Sequence, residues 1–296
     1  MKILKKIIIS MRPEQWTKNI IVFAGLFFAK KLSDPATLFS TIEIFCIFCI
    51  VSSASYILND IIDRKEDMHH PDKCKRPIAK GELNIGPAAG VSFALVSTGL
   101  FWAWMLSGKL FAIVVIFLVL HIAYDLALKH ISIIDVFAIS LAFILRLLAG
   151  VSVSGITSLI SSWILLCTFL LALFLALCKR RAEMALLLER SKQHRKSLEG
   201  YSLEFLDQLI TIVAGCSILS YALYALSAET VAKHGTDKLK YTIPFVAYGI
   251  FRYLYLVNMR RGGSNPEKIL LKDIPFLVNI LCYCAIVYLL VYRGIF

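Results

Sequence analysis

The stretch TLFSTIEIFCIFCIVSSASYILNDIIDRKED (residues 37–67) decides the fold. Residues 37–58 are almost continuously apolar, close to the ~20 residues that a helix needs to cross a bilayer. Charge then arrives all at once. Asp60, Asp63 and Asp67 follow the apolar run directly, and the next residues, MHHPDKCKRPIAKG, add Lys73, Lys75, Arg76 and Lys80. A carboxylate cluster and a cation cluster thus stand side by side at the edge of an apolar span.

The same clumping runs through all 296 residues. The chain is 58% hydrophobic and 18% charged, with a mean hydropathy of +0.74, whereas soluble domains carry about a quarter charged residues. Apolar spans are expected near 19–31, 37–58, 85–106, 110–125, 132–153, 157–177, 207–228, 241–258 and 274–292. Helices satisfy their own backbone in lipid, so this pattern gives an all-α membrane protein of about nine transmembrane helices. The first and fourth spans are short, which suits a tilted or interfacial segment. The basic N-terminus lacks a signal-cleavage pattern.

Twenty-three of the 32 Lys and Arg residues fall on one side of these spans. The positive-inside rule puts that side in the cytoplasm, with the N-terminus inside and the C-terminus outside. The expected location is the cytoplasmic (inner) membrane, with residues 59–84 facing the cytoplasm. The net charge of +12 then reports topology and contact with anionic membrane lipids, and nucleic acid is not expected as a partner. Cys46 and Cys49 form a CxxC on an apolar helix without His or acidic neighbours, and they read as small buried hydrophobes.

One domain, residues 1–296, is expected. Its two long charged loops, about 59–84 and 178–206, lie four spans apart, which hints at two halves with one polar cap each. The second cap has helical composition suited to the membrane surface.

On a helix extending the second span, Asn59, Asp63, Glu66, Asp67 and His70 fall in an arc of roughly 100°, with Asp60 at its edge. Carboxylates that close repel one another, and a divalent cation removes the conflict. Mg²⁺ suits hard oxygen ligands and usually shares its shell with substrate phosphates. A diphosphate satisfies both clusters, since its oxygens bridge metal while Lys and Arg take the remaining charge. The competing reading is a solvated loop with internal ion pairs, which helical phasing at a membrane edge disfavours.

NDIIDRKEDMHHP resembles the first aspartate-rich motif, N-D-x-x-D-x-x-x-D, of the UbiA superfamily of intramembrane prenyltransferases. Asn59, Asp60, Asp63 and Asp67 occupy its positions. The resemblance implies a helical bundle around a central cavity, with cytoplasmic helical caps over the active site. Most members carry a second Asp-rich motif in the sixth-to-seventh loop. Here that loop begins CKRRAEM, with Lys179, Arg180 and Arg181; Glu183 is the only acid nearby, and Asp207 lies far along. A cationic cluster in that place suits a bare phosphate.

This combination resembles the decaprenyl-phosphate phosphoribosyltransferase branch. The likeness extends through RPEQWTKN (12–19), YDLALKHISIIDVFAISLAFILRLLAG (124–150), YSLEFLDQL (201–209), YTIPFVAYGIFRYLYLV (241–257) and the following GGSNPEKILLKDIP. Asp125 departs from it, standing where a small hydroxyl residue is expected.

The branch implies transfer of 5-phosphoribose from phosphoribosyl pyrophosphate (PRPP) to a polyprenyl phosphate, with release of diphosphate, for a cell-envelope arabinose donor. It implies Mg²⁺ held by Asn59, Asp60, Asp63 and Asp67. Lys18, Lys73 and Arg76 would contact the leaving diphosphate, and Tyr124 and Lys129 the ribose phosphate end. Asp135 would meet ribose hydroxyls or order a cation. Lys179, Arg180 and Arg181 would hold a remaining phosphate. His70 is added to the substrate contacts, and Asp60, Asp63, Lys73 and Arg76 are expected to carry catalysis.

Arg146 lies inside the fifth span. Such residues face a cavity or a partner, here a substrate pocket or an acid such as Glu43. Arg252, among Tyr248, Tyr253 and Tyr255, reads as a structural cation–π or interhelical contact. His121 and His130 read as structural, and Trp16, Trp102, Trp104 and Trp163 as interfacial anchors. A UbiA-type prenyltransferase with an aromatic acceptor, and a lipid-phosphate carrier, are the alternatives. A homo-oligomer is compatible with the sequence.

Overall fold

A computed structural model describes residues 2–70, 72–152, 161–189, 200–259 and 272–293. The expected cap at 178–206 therefore lies partly outside the described residues, at 190–199. So do the start of the sixth span, at 157–160, and the stretch 260–271.

The longest helices follow from the apolar runs. Helix α3 (Pro35–Ile62) begins with Pro35 behind Asp34, a residue pre-set for a first helical turn. The Thr37 hydroxyl donates to Asp34 Oδ2 at 2.5 Å. Its 28 residues extend about 42 Å at 1.5 Å per residue, beyond a ~30 Å hydrocarbon core. The helix is thus long enough to carry Asn59 and Asp60 past the apolar layer.

The described chain falls into two compact units, Met1–Leu128 with Leu145–Leu159, and Lys129–Ile144 with Ile160–Phe296. The boundary runs through the fifth expected span.

In the first unit α3 is the central element. Helix α1 (Lys2–Met11) exposes Ile3, Leu4, Ile8 and Ile9, the amphipathic form of an interfacial helix. The chain continues as a 3₁₀ segment (Pro13–Ile21) into the short α2 (Val22–Phe28). The short α4 (Arg64–His69) follows α3. Helices α5 (Ile85–Leu106) and α6 (Gly108–Leu126) complete the unit. Small residues let α5 approach α3 closely. Ser92 Oγ donates to the Ala54 carbonyl at 2.9 Å, and a Cβ on Gly99 would lie 2.5 Å from Val51 Cγ2. Such close packing holds helices together where lipid supplies no hydrophobic drive.

Helix α7 (Ile134–Ser152) contributes to both units. The second unit is built on α8 (Ser162–Glu189) and α9 (Leu203–Leu226), packed through Leu173, Phe174, Leu177, Leu206 and Ile210. A short α10 (Ala228–His234), α11 (Ile243–Met259) and α12 (Ile274–Tyr288) follow, the last running into a π-helical turn (Leu289–Arg293). Arg252 binds Asp273 through two hydrogen bonds of 3.0 and 2.9 Å and lies 5.1 Å from the Tyr255 ring. The structural reading of Arg252 holds.

Among the described residues, seven helices are long and apolar enough to cross a bilayer: α3, α5 to α9, and α12. About nine were expected from sequence. The first expected span is divided, because Pro13 and the polar TKN (17–19) open it as a 3₁₀ segment and only 7 residues remain in α2. The eighth is α11, with 17 residues behind a 3₁₀ turn at Lys238–Thr242.

Candidate active site

In the first unit, the end of α3 and the following α4 bring the Asp motif together. Charged residues are almost never fully buried unless paired. Asp60, Asp63 and Asp67 are nevertheless 2%, 6% and 1% exposed. Cations explain this in part. Arg76 Nη1 donates to Asp60 Oδ1 at 3.0 Å and to Asp67 Oδ2 at 2.5 Å. Lys73 Nζ lies 3.9 Å from Asp67 Oδ1. Arg12 also donates to Asp60 Oδ1, and its guanidinium lies 5.1 Å from the Tyr56 ring.

Burial pushes the Arg76 guanidinium below its usual range, and Arg12 alongside adds to this, while Asp60 and Asp67 act in the other direction. Internal ion pairs, the competing reading from sequence, are therefore present, but in buried rather than solvated form.

Asn59 joins a further acid to the cluster. Its Nδ2 donates to Asp63 Oδ2 at 3.1 Å and to Asp125 Oδ1 at 2.7 Å. Asp125 and Tyr124 sit on α6, Asp125 buried and Tyr124 half-buried. His70 Nδ1 accepts the backbone N–H groups of Asp72 and Lys73, so this nitrogen shapes the loop that carries Lys73 and Arg76.

Deeper in the first unit, Arg146 is 3% exposed. Its Nε donates to Asn19 Oδ1 at 2.7 Å, and its guanidinium lies 4.6 Å from the Phe117 ring. Glu43, the alternative partner considered for it, accepts instead from Trp102 Nε1 at 3.2 Å. Lys18 is half-buried beside the buried Asn19. Trp16 Nε1 donates to Ser53 Oγ at 3.0 Å, so this tryptophan ties the 3₁₀ segment to α3. His121 packs on Phe117 with ring centroids 4.4 Å apart.

The second unit gathers the other expected residues. Asp135 is fully buried and accepts from Arg180 Nε at 2.6 Å and from the Tyr201 hydroxyl at 2.8 Å. Its cation neighbour is Arg180. Arg180 Nη1 also donates to Glu183 Oε2 at 2.7 Å. Asp207, distant in sequence, pairs with Arg181. The cluster expected to be cationic is thus balanced by three acids, which corrects the sequence view of Asp207 as remote. Lys179 and Lys129 are half-buried.

Lys129 lies on a turn that ends at Ile133, whose φ is +72°, a conformation that β-branched residues rarely adopt. The Ile133 N–H donates to the Tyr201 oxygen at 2.6 Å. Burial raises the Tyr201 phenol well above its ordinary value, which keeps it a neutral donor to Asp135.

Sequence reasoning gave no role to Arg12, Tyr201 or Asp207, and it saw Asp125 only as a departure from pattern. Arg12 and Tyr201 open two quoted stretches, RPEQWTKN and YSLEFLDQL, and that position was the available signal.

A divalent cation fits the first cluster. Asp60 Oδ2 is buried with no hydrogen-bond partner, and the neighbouring donors are hard carboxylate and amide oxygens. Among the described residues no group of three or more His, Cys, Asp or Glu side chains is arranged to hold a metal ion. Mg²⁺ does not need one, since it keeps several waters and binds through one or two carboxylates plus substrate phosphates.

The description of the UbiA prenyltransferase family matches residues 19–280. The decaprenyl-phosphate phosphoribosyltransferase of Corynebacterium glutamicum is 32% identical over 290 residues, covering 96% of this chain and 86% of its own. That of Mycobacterium tuberculosis H37Rv is 32% identical over 269 residues, covering 89% and 87%. A UbiA homolog from Archaeoglobus fulgidus, solved with GPP and Mg²⁺, superposes with a TM-score of 0.72 at 18% identity, over 97% of this chain and 99% of its own. A digeranylgeranylglyceryl phosphate synthase superposes at 0.67 with 17% identity, over all of both chains.

Proposed function

Because the chain belongs to the UbiA prenyltransferase family, we propose that it is a polyprenyl-phosphate phosphoribosyltransferase. It takes 5-phosphoribose from PRPP, places it on a decaprenyl-type phosphate and releases diphosphate. Relatives of that name at 32% identity support this reading. The observation that carries it is the contrast between two motif positions. The first Asp motif is complete and its three aspartates are buried, while the place of the second is taken by Lys179, Arg180 and Arg181.

An ionised oxygen of the lipid phosphate forms the new bond to the anomeric carbon. The bond from that carbon to diphosphate breaks, and diphosphate leaves with the electron pair. The nucleophile is already an anion at neutral pH, so no general base is required. The difficulty lies in charge, because two anionic substrates must meet and a third anion must depart. Lys73 and Arg76 neutralise the leaving diphosphate, with Lys18 as a further contact. Asn59, Asp60, Asp63 and Asp67 would hold Mg²⁺. When bound, Mg²⁺ screens the diphosphate charge and stabilises the departing group. Preorganised charges of this kind are the largest contribution in many enzymes.

Tyr124 and Lys129 are our candidates for the ribose phosphate end and Lys179 for the lipid phosphate, while Arg180 is committed to Asp135 and Glu183 and Arg181 to Asp207. Arg146 and His70 complete the polar lining. By the charge rule the site opens to the cytoplasm, and the product would feed a cell-envelope arabinose donor.

The test is transfer of label. Purified protein with Mg²⁺, radiolabelled PRPP and a polyprenyl phosphate should give labelled lipid after extraction. Transfer only from a prenyl diphosphate to an aromatic acid would replace this reading with the prenyltransferase one. Label-free lipid combined with phosphate-lipid flux across vesicles would replace it with a carrier.

A further inference from the structure

The amide of Asn59 is held between two carboxylates from different helices. A primary amide has two N–H donors and one carbonyl oxygen. Here Nδ2 faces Asp63 on its own helix at 3.1 Å and Asp125 on α6 at 2.7 Å. The reverse orientation would set a carbonyl oxygen against two carboxylates, so the acids fix which way the amide points. Its oxygen, Oδ1, is thereby kept out of both hydrogen bonds. Asp63 alone gives only a contact within one helix, four residues on, and α6 adds a second anchor from outside it. Asp125 is 5% exposed.

We infer that Asp125 is a positioning residue, which holds the Asn59 amide so that Oδ1 is presented to the divalent cation taken by the Asp60–Asp63–Asp67 cluster. This rests on the metal reading of that cluster under the proposed function. Asp125 acts through Asn59 and need not touch the cation. It joins α6 to the end of α3, so that cation affinity depends on a side chain 66 residues from its hydrogen-bond partner.

The test is Mn²⁺ binding, followed by electron paramagnetic resonance, in detergent-solubilised protein with inorganic diphosphate. Mn²⁺ accepts the same oxygen ligands as Mg²⁺. Groups that orient metal ligands commonly govern affinity by 10–100-fold, so Asp125→Ala should weaken Mn²⁺ binding by about tenfold. Asp125→Asn can still accept the same N–H and should stay within about threefold of wild type. Asn59→Ala should be as weak as Asp125→Ala, and the double variant no weaker than Asn59→Ala alone, as for residues acting in series. Asp125→Ser, too short to reach the amide, replaces the alanine variant if that one fails to fold, with the same loss expected. Melting temperatures without metal identify unfolding.

Wild-type affinity in Asp125→Ala, an Asp125→Asn variant as weak as alanine, or additive losses in the double variant would overturn the inference and leave the metal reading standing. Failure of the wild type to bind Mn²⁺ at all would overturn both.

Discussion

Helices α3 and α8 are each 28 residues long, and each carries charge in its C-terminal half, yet the two units treat that charge differently. At the end of α3 and on α4, buried Asp60 and Asp67 share Arg12, Arg76 and Lys73, and one oxygen of Asp60 has no partner. On α8, Arg180 meets an acid, Asp135, whose two oxygens are both used, one by Arg180 and one by Tyr201. A buried charge with every bond filled acts as scaffold. A buried carboxylate that keeps an oxygen in reserve suits a ligand that arrives later. The contrast assigns chemistry to the first cluster, and rigidity to at least the Asp135–Arg180–Tyr201 part of the second.

Substitutions can break that contrast. The largest effect is expected for Asp63→Ala, which should lower transfer by about a thousandfold, the scale of a lost electrostatic stabiliser, with melting nearly unchanged. EDTA should abolish wild-type transfer. Undiminished activity in either case would end the metal assignment.

Asp135→Ala should do the opposite and act mainly on stability. It leaves the Arg180 guanidinium buried without its main acid, a loss of about 3–5 kcal/mol for a broken buried pair, visible as a large drop in detergent melting temperature. A variant that melts normally but is inactive would move Asp135 into the chemistry.

A smaller effect is expected for Lys73→Ala. Its ammonium is 3.9 Å from Asp67 with a side chain 20% exposed, so it is available to a phosphate. KM for PRPP should rise about tenfold, worth ~1.4 kcal/mol, with Lys73→Arg restoring most of it. An unchanged KM would remove Lys73 from the diphosphate contacts.

Tyr201→Phe should have an effect of similar size, on stability and not on substrate binding. It removes a donor to Asp135 and the acceptor of the Ile133 N–H, for about 1–3 kcal/mol of stability. Loss of activity at unchanged melting would show that the strained turn around Lys129 serves the reaction.

What the sequence made legible was local. The Asp motif reads directly because its aspartates stand within eight residues of one another, although the one helix expected there is broken at Asp63 into the end of α3 and the short α4. Length and apolar runs mark α3 and α5 to α9. What stayed hidden depends on distance along the chain. Arg12 lies 48 residues from Asp60, Asp125 66 from Asn59, Tyr201 66 from Asp135 and Asp207 26 from Arg181. No periodicity links such pairs, since packing of separate helices creates them. Arg252 was legible in kind, as a structural residue, but its partner Asp273 was not. The first expected span, short already in the sequence, opens as a 3₁₀ segment behind Pro13 and continues as the 7 residues of α2.

The most direct test of the central claim is retention of ³²P-labelled diphosphate by the detergent-solubilised protein. Wild type should retain label with Mg²⁺ and release it in EDTA, and Asp63→Ala should fail to retain it while melting as wild type does. Equal retention with and without Mg²⁺, or equal retention by Asp63→Ala, would contradict the assignment of the buried aspartates to a magnesium diphosphate site.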